Sequence, residues 1–183
     1  MFMRVAVTGG IAEGKSTVMA MIRDHGAETL AADDVARKVV ADLGVQKELL
    51  RIAKISGEFS SAALRTALAE NTSTRRQVNA YLHPLIMAEM FSSSATFFEV
   101  PLLIETCLYR AFERVWVVTC GIDEQIKRLK ARYGPDCLVE PYLSMQLPTV
   151  AKLAFADAII RTNQPIEAVW SVVINKVEGL SAS

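Results

Sequence analysis

The stretch Thr8-Gly9-Gly10-Ile11-Ala12-Glu13-Gly14-Lys15-Ser16-Thr17 decides how the rest of this chain is read. Residues 9–16 fit G-x-x-x-x-G-K-[ST], a spacing with a physical reason. Successive main-chain amides of Gly10, Ile11, Ala12, Glu13 and Gly14 curl into a nest for a phosphate group. A helix opening at Lys15 adds partial positive charge at its N-terminus. The Lys15 ammonium is placed to reach the β- and γ-phosphates, the Ser16 hydroxyl to ligate Mg²⁺, and Thr17 to touch the α-phosphate. The same glycines do not satisfy G-x-G-x-x-G, which argues against a dinucleotide-binding Rossmann domain.

The flanks agree with this reading. Arg4–Thr8 is a short apolar run typical of a buried strand, and Val18, Met21 and Ile22 recur at helical spacing after Lys15. His25-Gly26 ends that helix, with glycine at the usual C′ place. Strands are expected at Thr29–Ala31, Thr96–Val100, Val115–Thr119 and Asp157–Ile160, with a helix from about Asp34 and others over Asp123–Tyr133 and after Pro165. Residues from about Gly44 to Phe91 read as helical throughout, punctuated at His83-Pro84. Alternation of strands and helices implies an α/β chain with a parallel sheet covered on both faces. The expected architecture is a three-layer P-loop NTPase fold with a helical substrate-binding insertion and a small lid. Trp116 and Trp170 sit in apolar registers and read as core.

Bulk properties narrow the partners. The 183 residues suit one α/β domain with a small insertion, and hydrophobic residues at 51% can fill a core. Lys+Arg and Asp+Glu number 20 each, without the basic stripe of a nucleic-acid binder. A small-molecule substrate is therefore expected, with no nucleic-acid partner. Met1–Gly10 is apolar but runs straight into the glycine motif, and no stretch approaches the ~18 apolar residues of a membrane span. Cys107, Cys120 and Cys137 are widely spaced, without a CxxC pair. They read as reduced thiols of a cytoplasmic protein.

Beyond the loop, phosphoryl transfer to a hydroxyl gains from a carboxylate that takes the proton. Asp33, just past the second expected strand, stands where a parallel sheet opens its active edge. Its neighbour Asp34 reads as the helix N-cap, although Asp33 is itself an alternative cap. Glu99, ending a strand, is either a water-mediated magnesium partner or a salt-bridged carboxylate. Arg37 lies one helical turn past Asp33 and suits phosphate recognition. Arg128 and Arg132, spaced i,i+4 before a break, are two alternatives for a lid arginine that offsets charge on the transferring group.

Taken in order, these residues resemble the dephospho-coenzyme A kinase family along nearly the whole chain. The resemblance runs through Thr8–Thr17, Ala31-Ala32-Asp33-Asp34-Val35-Ala36-Arg37, His83-Pro84-Leu85-Ile86, and Pro101-Leu102-Leu103-Ile104-Glu105. It continues through Gln125, Arg128, Leu129 and Arg132, then Gln146, Lys152, Ala156, Asp157, Ile160 and Asn163. The resemblance implies ATP with Mg²⁺ as cofactors and transfer to the ribose 3′-hydroxyl of 3′-dephospho-CoA. It implies catalytic Asp33, Lys15 and Arg132, acceptor-side Arg37 and His83, and Asn163 near the adenine. It also implies a nucleotide-binding core (1–43, 93–132, 148–183), a CoA-substrate insertion (44–92) and a lid (133–147), in a monomer or weak homo-oligomer. This chain departs from the family at Ala31, where an acid is usual, at Ala12-Glu13, where small residues are usual, and at Tyr142, where arginine is frequent. Glu13 is expected to set a negative charge beside the phosphates. Two other readings share the loop: another small-metabolite P-loop kinase, and a non-catalytic nucleotide-binding module.

Overall fold

In a computed structural model, residues 3–181 are described; the expectations for Met1, Phe2, Ala182 and Ser183 lie outside them. Among these residues, chain contacts define two units, one of residues up to 31 with those from 95 onward, the other 32–94.

The first unit is built on a parallel sheet in the order β2-β3-β1-β4-β5. The strands are β1 (Val5–Gly9), β2 (Thr29–Ala31), β3 (Phe97–Glu99), β4 (Arg114–Thr119) and β5 (Ala158–Arg161). Register is pinned by pairs such as Val5↔Phe97, Val7↔Trp116 and Thr29↔Phe97. Alternation sorts the side chains by face. Val5, Val7, Phe97, Trp116, Val118 and Ile160 pack against α1 (Lys15–Asp24), through Val18, Met19 and Ile22, and against the last helix, Ile166–Ser181, through Val169 and Val173. Ala6, Phe98 and Val117 are equally buried on the opposite face. The central strands are therefore apolar on both sides, as a sheet between two helical layers requires. Phe97 meets Trp116 edge-on with ring centroids 5.2 Å apart. Trp170, expected in the core, is 39% exposed; Val169 and Val173 turn inward instead.

The second unit is helical: α2 (Ala32–Val40), α3 (Leu43–Ala53), α4 (Ser61–Glu70) and α5 (Thr72–Phe91). Its core joins Leu49, Leu64 and Val78, flanked by Ile52, Phe59, Leu68 and Leu82. Asp42, Ser60 and Asn71 cap α3, α4 and α5, each accepting from the amide three residues on. The unit includes α2, which packs on α5. Pro84 lies inside α5 without ending it.

In the first unit, β4 leads into α6 (Ile122–Tyr133). Short helices α7 (Glu140–Ser144) and α8 (Thr149–Lys152) follow, before β5 and α9 (Ile166–Ser181). No helix among the described residues is long and apolar enough to cross a membrane.

Candidate active site

Residues 10–14 connect the C-terminal end of β1 to the start of α1. The loop takes two left-handed conformations, at Ala12 (φ 60°) and Gly14 (φ 93°). Alternating hands of this kind turn consecutive amides toward one point. A Cβ on Gly14 would also press on Thr162 at 3.0–3.2 Å, so backbone and side-chain requirements coincide there. No side chain caps α1 at Gly14, so its first-turn amides point out of the helix end toward whatever occupies the loop. Lys15 Nζ donates to the carbonyls of Gly9 (3.1 Å) and Gly10 (2.8 Å), folding its charge over the loop. Ser16 and Thr17 are exposed at the same end.

Glu13 keeps its carboxylate at the loop but away from solvent: the residue is 1% exposed. Oε2 accepts the Gly10 amide (2.6 Å) and the Thr149 hydroxyl, while Oε1 accepts the Thr119 hydroxyl (2.9 Å). The Ile11 amide is taken by Gln146 Oε1 (3.1 Å), and the Ile11 carbonyl by Gln125 Nε2 (2.8 Å). Beside the loop lies a cavity of about 430 Å³, bounded by Gly10 and Ile11, by Gln125 of α6, and by Tyr142, Leu147 and Val150 of the segment returning to β5.

The two arginine alternatives separate clearly. Arg128 is engaged: Nε donates to Glu124 (3.0 Å), and Nη1 and Nη2 donate to the Thr162 hydroxyl (3.1 Å) and carbonyl (2.7 Å). Arg132 is exposed at the end of α6, its guanidinium 5.3 Å from the Tyr133 ring centroid. Tyr133 stacks on Tyr142 (4.6 Å, 15° between planes), joining the two ends of residues 133–142. Asn163 is exposed just after β5. Glu99 closes β3 in register with Val7 and Ala31.

Asp33, Arg37 and His83 belong to the helical unit. Asp33 and Asp34 are both in the first turn of α2, which starts at Ala32, two residues earlier than expected, so neither is its cap. Arg37 ion-pairs with Asp34, not Asp33, and both partners are exposed. Asp33 is exposed, with no hydrogen bond or ion pair among the described residues. His83 is half-buried on α5, and burial holds its imidazole below the usual pKa.

Sequence reasoning gave no role to the pair formed by Glu105 and Lys152. Lys152 is fully buried; its ammonium lies 2.8 Å from Glu105 Oε1 and donates to the Pro101 carbonyl at 3.1 Å. Glu105 Oε1 also accepts the Leu147 amide at 2.9 Å, at the far end of the expected lid. Burial pushes the Glu105 carboxyl up. Hydrogen bonds from Lys152 and from the amides of Glu105 and Leu147, with the lysine's charge, outweigh it and hold the group below the usual range. Nothing local to either residue linked the two in sequence.

A phosphate loop at the C-terminal edge of a five-stranded parallel sheet, ordered 2-3-1-4-5 between helical layers, defines a P-loop kinase fold. The sequence model of the dephospho-CoA kinase family matches residues 3–167, and this chain belongs to that family. The dephospho-CoA kinase of Escherichia coli K12 is 34% identical over 182 residues, covering 92% of this chain and 88% of that one. The Geobacillus kaustophilus enzyme of the same name is 31% identical, covering 89% of each. Among solved structures, dephospho-CoA kinase from Campylobacter jejuni superposes with a TM-score of 0.69 at 22% identity over 98% and 97% of the two chains. Shikimate kinase from Aquifex aeolicus shares the fold alone, at a TM-score of 0.54, 14% identity and 98% coverage of both.

Proposed function

We propose that this chain transfers the γ-phosphoryl group of ATP to the ribose 3′-hydroxyl of 3′-dephospho-CoA, giving ADP and CoA. The observation that carries the reading is the amide-lined loop with Lys15 folded over it, in a chain of this family. Main-chain amides from Ala12 through Thr17 hold the triphosphate, while those of Gly10 and Ile11, expected in the same cradle, are already taken by Glu13 and Gln146. Lys15 exchanges two carbonyl acceptors for phosphate oxygens, so its charge is available where the transferring group needs it. Asp33 accepts the 3′-hydroxyl proton as the oxygen attacks phosphorus and the bond to the ADP oxygen breaks. Its exposure leaves it open to a substrate. Arg132 balances charge on the moving phosphoryl group; Arg37 and His83 hold the acceptor, and Asn163 the adenine. Residues 44–92 are assigned to the CoA substrate and 133–147 to a lid.

Mg²⁺ fits this donor set. The Ser16 hydroxyl is exposed at the loop mouth. A single hydroxyl together with phosphate oxygens and water matches the way this ion is usually held. Bound there, it would neutralise charge shared between the β- and γ-phosphates. The protein is assigned to the cytoplasm, as a monomer or weak homo-oligomer without nucleic-acid or membrane partners.

An ADP-release assay tests the reading directly. Turnover is expected with dephospho-CoA and not with nucleosides or gluconate offered beside it. Asp33→Asn is expected to lower kcat by about 10²–10⁴-fold while calorimetry still detects ATP binding. Turnover of a nucleoside in preference to dephospho-CoA would move the assignment to another small-metabolite kinase.

A further inference from the structure

Glu13 is surrounded by neutral donors, each from a different part of the first unit. They are the Gly10 amide in the loop, Thr119 at the end of β4, and Thr149 at the start of α8. Its main-chain carbonyl accepts a fourth, the Thr162 hydroxyl beyond β5, at 2.7 Å. Thr162 is in turn held by Arg128, and Thr119 Oγ1 accepts the Gly121 amide at 3.2 Å. No cation among the described residues pairs with the carboxylate, so what it supplies is connection. A parallel tie runs three residues earlier on the same return segment, from Gln146 to the Ile11 amide. The side chains close tightly around Gly10. A Cβ on Gly10 would lie 2.6–2.8 Å from Gln125, Glu13 and Thr149 atoms, and the hydrogen bonds through Glu13 and Gln146 couple the loop to these neighbours.

We propose that Glu13 is a positioning residue that joins the phosphate loop to residues 146–149, so that filling the loop is transmitted to the segment between α6 and α8. The inference rests on the nucleotide-binding reading above. The connection depends on hydrogen-bond geometry and not on charge. A glutamine at this position accepts the Gly10 amide and Thr149 hydroxyl with its carbonyl oxygen and donates to Thr119 Oγ1 with its amide nitrogen. A serine cannot reach all three.

Hydrogen-exchange mass spectrometry of the full chain, with and without saturating ATP, tests this on wild type, Glu13→Ser, Glu13→Gln and Thr149→Val. Calorimetry on the same samples fixes the ATP concentration. In wild type, ATP is expected to slow exchange both in residues 9–17 and in 139–152. In Glu13→Ser and Thr149→Val the loop response stays and the 139–152 response falls by at least half. Glu13→Gln keeps both. In Glu13→Ser, kcat falls while KM for ATP holds within about two-fold, because the loop amides remain but closure is lost. An undiminished 139–152 response in both Glu13→Ser and Thr149→Val overturns the inference, as does Glu13→Gln behaving like Glu13→Ser. ATP uptake without any 139–152 response in wild type overturns the inference alone; no ATP uptake overturns the nucleotide reading beneath it.

Discussion

Lys152 Nζ lies 2.8 Å from Glu105 Oε1, 47 positions away in sequence, and the lysine has no exposed surface. A buried ion pair of this sort gains little over an apolar pair, yet removing one partner strands a charge. Lys152→Met is therefore expected to cost about 3–5 kcal/mol. At about 2–4 °C per kcal/mol for a chain of this size, calorimetric Tm falls by roughly 10 °C. The carboxyl is held below its ordinary range in the folded state, so it binds fewer protons folded than unfolded. Its contribution is present above the unfolded carboxylate value of about 4.3 and is lost as pH falls through the folded one. Urea unfolding of wild type and Glu105→Gln should show a stability gap at pH 7 that narrows below pH 4. A gap independent of pH would remove Glu105 from the acid response.

Arg128 and Arg132 are indistinguishable in sequence but opposite in surroundings. Arg128 clamps α6 to the residue after β5, whose hydroxyl also holds the Glu13 carbonyl. Arg128→Ala should lower stability by about 1–3 kcal/mol, since the Thr162 carbonyl loses its guanidinium donor. Arg132→Ala, at an exposed site, should leave Tm unchanged and reduce kcat. Thermal melts and steady-state rates on the two variants separate the roles. A large Tm loss in Arg132→Ala would contradict the assignment.

The backbone at Ala12 sits at φ 60°, which burdens a Cβ-bearing residue by about 1–2 kcal/mol. Glycine relieves that strain but adds unfolded-state entropy of about 0.5–1 kcal/mol. Ala12→Gly should therefore be neutral or gain up to about 1 kcal/mol. Ala12→Val, β-branched in the same region, should lose more than alanine and weaken ATP binding. Paired melts and calorimetry on both variants check the order Gly ≥ Ala > Val; valine matching alanine would mean the loop does not need the left-handed turn.

What was legible in this sequence was local. Strand runs, the glycine loop and the Gly26 helix stop each announce themselves within a few residues. Trp170 misled because an apolar register on α9 is shared with Val169 and Val173, and the smaller residues won the inward face. Asp34 misled because an acid before a helix suits both a cap and the first turn; pairing with Arg37 favoured the turn. The knots at Glu13 and Glu105 were illegible for a different reason. Glu13 meets Thr119, Thr149 and Thr162 across 106, 136 and 149 positions. Threonine carries no pattern that marks such a partner. The sequence showed that Glu13 was unusual for a phosphate loop, but only three dimensions show its carboxylate buried among a loop amide and two hydroxyls.

His83 closes the set with a pH response of its own. Burial lowers its pKa below the usual 6.5, so near neutral pH the imidazole is uncharged, and in the acceptor-side role proposed for it His83 acts as a neutral hydrogen-bonding group. Two consequences follow from that one shift. In the acceptor reaction, KM for dephospho-CoA should not change between pH 7 and 8.5 through this residue, and His83→Gln should hold KM better than His83→Ala. In folding, the unfolded chain takes up a proton at a pH where the folded chain does not, so wild type loses stability as pH falls through about 6.5. His83→Gln removes that loss, and its stability relative to wild type should rise between pH 7 and pH 5.5. Denaturant titrations at the two pH values read the sign. A relative stability that falls with acid would mean the histidine is protonated and paired when folded.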